Sequence, residues 1–301
     1  LGKRSLGAHI DALAQLGIEV SGNEEAHTYH VEVHDLKSAE VIMFEASDTG
    51  TENVLMAAAK IPGVTTIKFA SANYMVQEVC FFLEALGVKI DGIGTSSLIV
   101  HGVKEINKNI EYWNSEDPIE SMMFISAGII TDSRLTITRA PIDFLSLELE
   151  KLKIINFKYK ISKTYYSYNG RTKLADIEIF PSKLHALHDK LHANPYPGIN
   201  IDNLPFFVPI AIRAKGTTMI HDWVYENRAI YLTELNRLGA DITLADPHRL
   251  YVEGGTKLKS AQMVCPPALR PSMVIMIAML SASGTSILRN VYMINRGYED
   301  I

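Results

Sequence analysis

Residues 82–102, FLEALGVKIDGIGTSSLIVHG, and residues 234–255, ELNRLGADITLADPHRLYVEGG, follow one plan, and that plan decides the fold. Each opens on a helical stretch that stops at Leu-Gly, where glycine lets the backbone leave the helix. Each continues through a short β-rich run and a polar turn into an alternating strand, SLIVHG or RLYVEGG, that closes on glycine. The same helix end recurs at 12–20, ALAQLGIEV, with a degenerate copy at 147–161, LELEKLKIINFKYKI. Strands that open after a Gly-Thr turn stand between them: IPGVTTIKF, AKGTTMIHD and ASGTSILRN, with ITDSRLTITRA in the equivalent place of the degenerate unit. Leu16 and Leu86 are 70 residues apart, Leu86 and Leu152 are 66, and Gly216 and Gly284 are 68. A period near 70 exceeds the usual solenoid unit, so each repeat holds several elements.

The order read within a repeat is helix, strand, strand, helix, strand. The helices MMFISAGII and MVIMIAML are apolar on most faces. That suits helices packed inside with sheets around them, rather than a doubly wound sheet with helices outside. The polar stretch 102–116, GVKEINKNIEYWNSE, marks a boundary near Lys108–Asn114, giving a first domain over 1–110 and a second over 111–301. Residues 163–197 break the period and read as a long inserted excursion.

Composition narrows the function classes. The net charge of −5 argues against nucleic acid, whose phosphates demand a basic surface. The most apolar run, Met273–Leu280, lies between Pro271 and SASG and falls far short of the ~20 residues a bilayer span needs. Two cysteines far apart, Cys80 and Cys265, read as packed thiols of a reducing, cytoplasmic protein rather than a disulfide. His27, His30 and His34 fall on a strand, and His185, His188 and His192 follow helical spacing. No carboxylate or Cys partner is read as placed with the second trio, so no metal is expected, and no phosphate loop or dinucleotide motif is present, so no cofactor is expected either.

Three arginines sit where an apolar element meets a loop: Arg228 in VYENRAI, Arg270 in PPALRPS and Arg296 in INRGYED; Arg4 would be a fourth. Arginine suits bidentate recognition of carboxylate and phosphate, so the set either converges on one anion or pairs with local acids. Asp202, in YPGINIDNLPFFVPI, is either a general base in a partly dry cleft or a helix cap. SDTGTEN, with Ser47 and Thr49, is a helix start that either binds an anion or is simply capped.

The segments YPGINIDNLPFFVPIAIRAKGTTMIHDWVYENRAIYLTELNRLGADI, LKSAQMVCPPALRPS and SASGTSILRNVYMINRGYED resemble the enolpyruvyl transferase family, in the branch that acts on UDP-N-acetylglucosamine. The resemblance runs over nearly the whole chain and is strongest from Pro195 to Ile301. It implies two inside-out α/β barrel domains of repeated units, helices within and sheets without. It also implies an enzyme that moves the enolpyruvyl group of phosphoenolpyruvate to the 3-hydroxyl of UDP-N-acetylglucosamine and releases phosphate, the committed step of peptidoglycan synthesis in the cytoplasm. The partners implied are those two small molecules alone, for a monomer without nucleic acid or membrane. By position, Asp202 matches the family's acid/base aspartate. Arg228, Val224 and Tyr225 match contacts to the sugar nucleotide, Arg270, Arg296 and Arg4 match arginines around phosphoenolpyruvate, and Ser47 and Thr49 fall in the diphosphate segment.

The chain departs from the pattern in named places. The family's Pro-Val-Asp-Leu-His after Arg4 is Ser5, Leu6, Gly7, Ala8 and His9, its Asp-Leu-Arg is Ala268, Leu269 and Arg270, and a usual Lys is Glu45. Asn295 stands where the family has Asp. These departures keep two other readings open, a transferase with another acceptor and a binding paralogue without turnover. Against the family, residues 1–301 would lack opening units, a loop residue before Leu1 and a C-terminal end, and would be inactive alone.

Overall fold

The computed structural model describes residues 6–23 and 28–301, and the chain divides into two compact units, Leu1–Asn114 and Ser115–Ile301. In the first unit, α1 (Gly7–Ala14) leads into an antiparallel ribbon of β1 (Ile18–Asn23) and β2 (Thr28–Val33). Next come β3 (Glu40–Ile42), α2 (Asp48–Ala59), β4 (Gly63–Lys68), α3 (Tyr74–Ala85), β5 (Lys89–Asp91) and β6 (Ser97–Gly102). Their sheet has the order β3-β4-β6-β5, with β3 parallel to β4 and the other pairs antiparallel. Side chains from α1, α2, α3 and this sheet close one core around Leu16, Leu55, Ile67, Cys80 and Val100.

The second unit opens with α4 (Pro118–Ile130), capped by the Asp117 carboxylate and started by proline at its first position. It continues through β7 (Leu135–Pro141), α5 (Ser146–Ile154), β8 (Lys158–Tyr166) and β9 (Lys173–Phe180), which form an antiparallel sheet of order β7-β9-β8. Then follow β10 (Leu191–His192), α6 (Phe207–Arg213), β11 (Thr217–His221), a 3₁₀ helix over Ala229–Leu238, β12 (Asp241–Leu244) and β13 (Arg249–Glu253). That sheet, β10-β11-β13-β12, repeats the strand order and directions of the first unit's sheet. Finally, β14 (Gln262–Val264) pairs in parallel with β15 (Ile287–Arg289) around α7 (Leu269–Ser281), and α8 (Tyr292–Gly297) packs on α7.

In this unit α4, α6 and α7 pack on one another, and α6 buries every residue but Arg213. Sheets lie outside them: α4 meets β7 and β9, and α6 meets β11 and β13. A helix surrounded by apolar neighbours needs an apolar side chain on nearly every face, the composition read from MMFISAGII and MVIMIAML.

Backbone conformation accounts for the imperfect repeat. Gly17, Gly87 and Gly239 end their helices at φ +84, +100 and +92, and in the degenerate copy Asn156 takes the same place at φ +71. Asparagine is the side chain that best tolerates this region after glycine. Likewise Gly63 opens its strand, and Gly216 and Gly284 precede theirs, with positive φ, and Asp132, at φ 54, stands for them in the degenerate unit.

Two sequence expectations are corrected. The stretch read as an insertion contains β9, the middle strand of its sheet, occupying the place of β6 and β13. His185, His188 and His192 do not share a helix face. His185 sits in a parallel bridge to Lys215, its N–H donates to the Ile155 carbonyl, and His192 belongs to β10. The helix that ELNRLG ends is a 3₁₀ helix, closed at Gly239 as the sequence reads. Both cysteines are free; Cys80 is fully buried, whereas Cys265 is half-buried. No helix among the described residues is long and apolar enough to cross a membrane.

A candidate active site built on Asp202

Asp202 lies in a tight turn over 200–203, just before α6. The turn is an asparagine turn: the Asp202 N–H donates to Asn200 Oδ1 at 2.8 Å, and the Asn200 carbonyl accepts from the N–H groups of Asn203 and Leu204. Glu148, reaching across from α5, accepts from the Asn200 N–H at 3.1 Å and from Asn203 Nδ2 at 2.9 Å through the same oxygen. Glu148 is buried, and that burial pushes its carboxyl above its ordinary value against the opposing pull of these hydrogen bonds.

Two guanidinium groups meet on the Asp202 carboxylate. Arg228 Nη1 donates to Oδ1 at 3.3 Å and Arg270 Nη2 donates to Oδ2 at 3.1 Å. The Asp202 side chain keeps 25% of its surface exposed, against 8% for Arg228 and 14% for Arg270, so the carboxylate is the member of the trio a solute can reach. Its side chain caps no helix, which removes the capping alternative.

Arg228 is held from behind. Its Nε and Nη2 donate to both oxygens of Asp222, at 2.6 and 2.8 Å, and Nη2 also donates to the Ile201 carbonyl at 2.6 Å. Its guanidinium lies 4.3 Å from the centre of the Tyr225 ring, a cation–π distance. Arg270, the second residue of α7, donates through Nη1 to the Tyr298 hydroxyl at 2.9 Å. Burial alone would lower the Arg270 guanidinium; Asp202 and Tyr298 outweigh that and hold it above its ordinary value. Burial raises the Tyr298 phenol, with Arg270 opposing.

The remaining sequence candidates are placed as follows. Val224 and Tyr225 are half-buried in the segment between β11 and the 3₁₀ helix. Arg296 is exposed on α8, and its side chain makes no hydrogen bond or ion pair among the described residues. Ser47, in the first unit, caps α2 by accepting from the Gly50 N–H at 3.2 Å. Thr49 Oγ1 lies 3.4 Å from His9 Nε2, while His9 Nδ1 accepts from Asn53 Nδ2 at 2.8 Å. Arg4 lies outside the described residues.

The structure thus brings Asp202, Arg228 and Arg270 together, with Tyr225 against Arg228. A reachable carboxylate beside two guanidinium groups can accept a proton while the cations offset negative charge developing nearby. Sequence reasoning missed Asp222 and Glu148, buried acids whose partners are visible only once the chain is folded. Tyr298 was within sight, inside the motif NRGYE.

All residues, 1–301, match the model of the family described as EPSP synthase (3-phosphoshikimate 1-carboxyvinyltransferase). A UDP-N-acetylglucosamine 1-carboxyvinyltransferase of Treponema denticola is 34% identical over 309 aligned residues, covering 100% of this chain and 68% of that one. The protein of the same name from Bacteroides thetaiotaomicron is 32% identical, covering 100% and 69%. Among solved structures, the enolpyruvyl transferase NikO from Streptomyces tendae superposes with a TM-score of 0.84 at 21% identity, over 98% of this chain and 69% of that one. An EPSP synthase from Acinetobacter baumannii gives 0.76 at 20% identity, over 99% and 69%. The two structures speak for the fold; with the full-length family match and relatives above 30% identity, the chain belongs to the EPSP synthase family of enolpyruvyl transferases.

Proposed function

We propose that this chain carries the enolpyruvyl transfer from phosphoenolpyruvate to the 3-hydroxyl of UDP-N-acetylglucosamine, with release of phosphate, in the cytoplasmic supply of peptidoglycan precursors. The observation that carries the reading is the Asp202 carboxylate, reachable and flanked by Arg228 and Arg270; the names of the curated relatives support it. Asp202 takes the acceptor's hydroxyl proton as that oxygen bonds to C2 of phosphoenolpyruvate, whose C3 gains a proton. The tetrahedral adduct then loses that C3 proton and phosphate, restoring the double bond on the new ether. Arg270, with Arg296 and Arg4, holds the donor's carboxylate and phosphate as charge moves between them, which positions the reactants and stabilises the adduct together. Val224 and Tyr225 contact the sugar nucleotide, and Ser47 and Thr49 its diphosphate.

The test follows phosphate release by the full-length protein with both substrates. Asp202→Asn should lower turnover by on the order of 10²–10⁴-fold while sugar-nucleotide binding stays within a few fold. Unchanged turnover would remove Asp202 from the role of base. A second reading, a different acceptor, is favoured by Glu45, exposed two residues before the Ser47 cap, where a carboxylate repels a diphosphate. Phosphate release with another nucleotide sugar and none with UDP-N-acetylglucosamine would select it.

A further inference from the structure

We infer that Asp222 is a positioning residue for Asp202, acting through Arg228; the inference rests on Asp202 being the base. Arg228 looks at first like a cation waiting for an anionic ligand. Its hydrogen bonds say otherwise. Nε and one Nη2 hydrogen go to the two oxygens of Asp222, the second Nη2 hydrogen goes to the Ile201 carbonyl, and one Nη1 hydrogen goes to Asp202. The short, paired contacts are those to Asp222 and Ile201, and the contact to Asp202, at 3.3 Å, is the longest of the set. Asp222 is 1% exposed, so its charge is neutralised by Arg228 or not at all.

Asp222 is itself immobilised at the end of β11. Its N–H donates to the His248 carbonyl at 2.7 Å, and its own carbonyl lies 3.1 Å from His248 Nδ1. A planar guanidinium held at two points by a fixed carboxylate has its plane and reach fixed. Through Ile201 and Nη1 that geometry passes to the turn that carries Asp202. Asp222 also keeps Arg228 from collapsing fully onto Asp202. A base gripped tightly by two unshared cations gives up its role as proton acceptor, whereas one loose contact leaves a lone pair for the substrate. The device thus sets where the Asp202 carboxylate points.

The test uses the full-length enzyme with phosphoenolpyruvate and UDP-N-acetylglucosamine, with active sites counted by titrating UDP-N-acetylglucosamine binding. For Asp222→Asn, turnover per counted site should fall by on the order of 10²-fold, with KM for both substrates within about twofold. A purely structural residue would reduce the number of sites and leave turnover per site alone; that result overturns the inference. If Asp222→Asn does not fold, Arg228→Lys keeps the charge and loses the paired contact; its turnover per site at saturating substrates should fall by the same order, whatever its KM for the sugar nucleotide, and full turnover per site overturns the inference. Asp202→Asn is run alongside. Full turnover there defeats the base reading and this inference with it, whereas lost turnover there with full turnover per site in the Asp222 or Arg228 variant defeats the inference alone.

Discussion

Glu148 is a buried carboxyl that accepts two hydrogen bonds from the Asp202 turn and has no cation paired with it among the described residues. Its carboxyl titrates above the ordinary value, so in the pH range above about 4.5 the folded chain holds a proton that the unfolded chain has released. Stability from this group is therefore fully present at low pH and lost as pH rises through the raised value. Glu148→Gln keeps an acceptor for Asn200 and Asn203 but does not ionise. Its Tm should gain on the parent's as pH rises above about 4.5, with about 2–4 °C read per kcal/mol for a unit of this size. Parallel Tm–pH curves for the two proteins would count against it. Asp202, Arg228 and Arg270 were legible in the sequence because each stands alone at an element's edge in a recognisable phrase. Glu148 in LELE and Asp222 in IHDW look like any surface acid, and only a partner 52 or 55 residues away for the first, and a fork of arginine for the second, shows what they do.

At the scale of elements, the two strands quoted at the outset end on glycine for a reason the sequence does not state. A Cβ at Gly102 would lie 1.9 Å from the Ile61 carbonyl oxygen and 2.3 Å from that of Ala58; at Gly254 it would lie 1.8 Å from that of Ala214 and 2.5 Å from that of Ala211. Both are backbone atoms at the C-terminal end of a central helix, α2 or α6, where carbonyls lack helical partners. The bare backbone lets the next residue supply one: the Val103 N–H donates to the Ala59 carbonyl at 3.0 Å and the Gly255 N–H to that of Ile212 at 2.8 Å. Gly254→Ala should therefore cost about 3 kcal/mol, at the upper end for overpacking, because a backbone oxygen cannot swing aside. A shift in urea midpoint worth less than about 1 kcal/mol would disprove the clash. The strand and its terminal glycine were readable; the helix end it seals was not, because that contact joins segments about 40 residues apart.

At the scale of the molecule, the repeat was visible wherever glycine marks it and faded where Asn156 and Asp132 do the same backbone work. That is why β9 passed for an insertion: with both markers replaced, nothing in its spacing ties it to β6 and β13. The two thiols lie one in each unit, Cys80 inside α3 and Cys265 between β14 and α7, and their surroundings differ. Cys80 is fully buried in the core of the first unit, and burial pushes its thiol up to about 12. Cys265, half-buried in the second, is raised by burial with a Ser272 hydrogen bond opposing.

This arrangement makes the chain its own reporter of opening motions. Alkylation needs thiolate in contact with reagent, so in native buffer Cys265 should be modified first, and Cys80 only as fast as the first unit opens to admit the reagent. Mass spectrometry of time-quenched samples reads the two rates separately. Rising urea should accelerate Cys80 far more steeply than Cys265, and equal rates for both without denaturant would show that the core around Cys80 is already open.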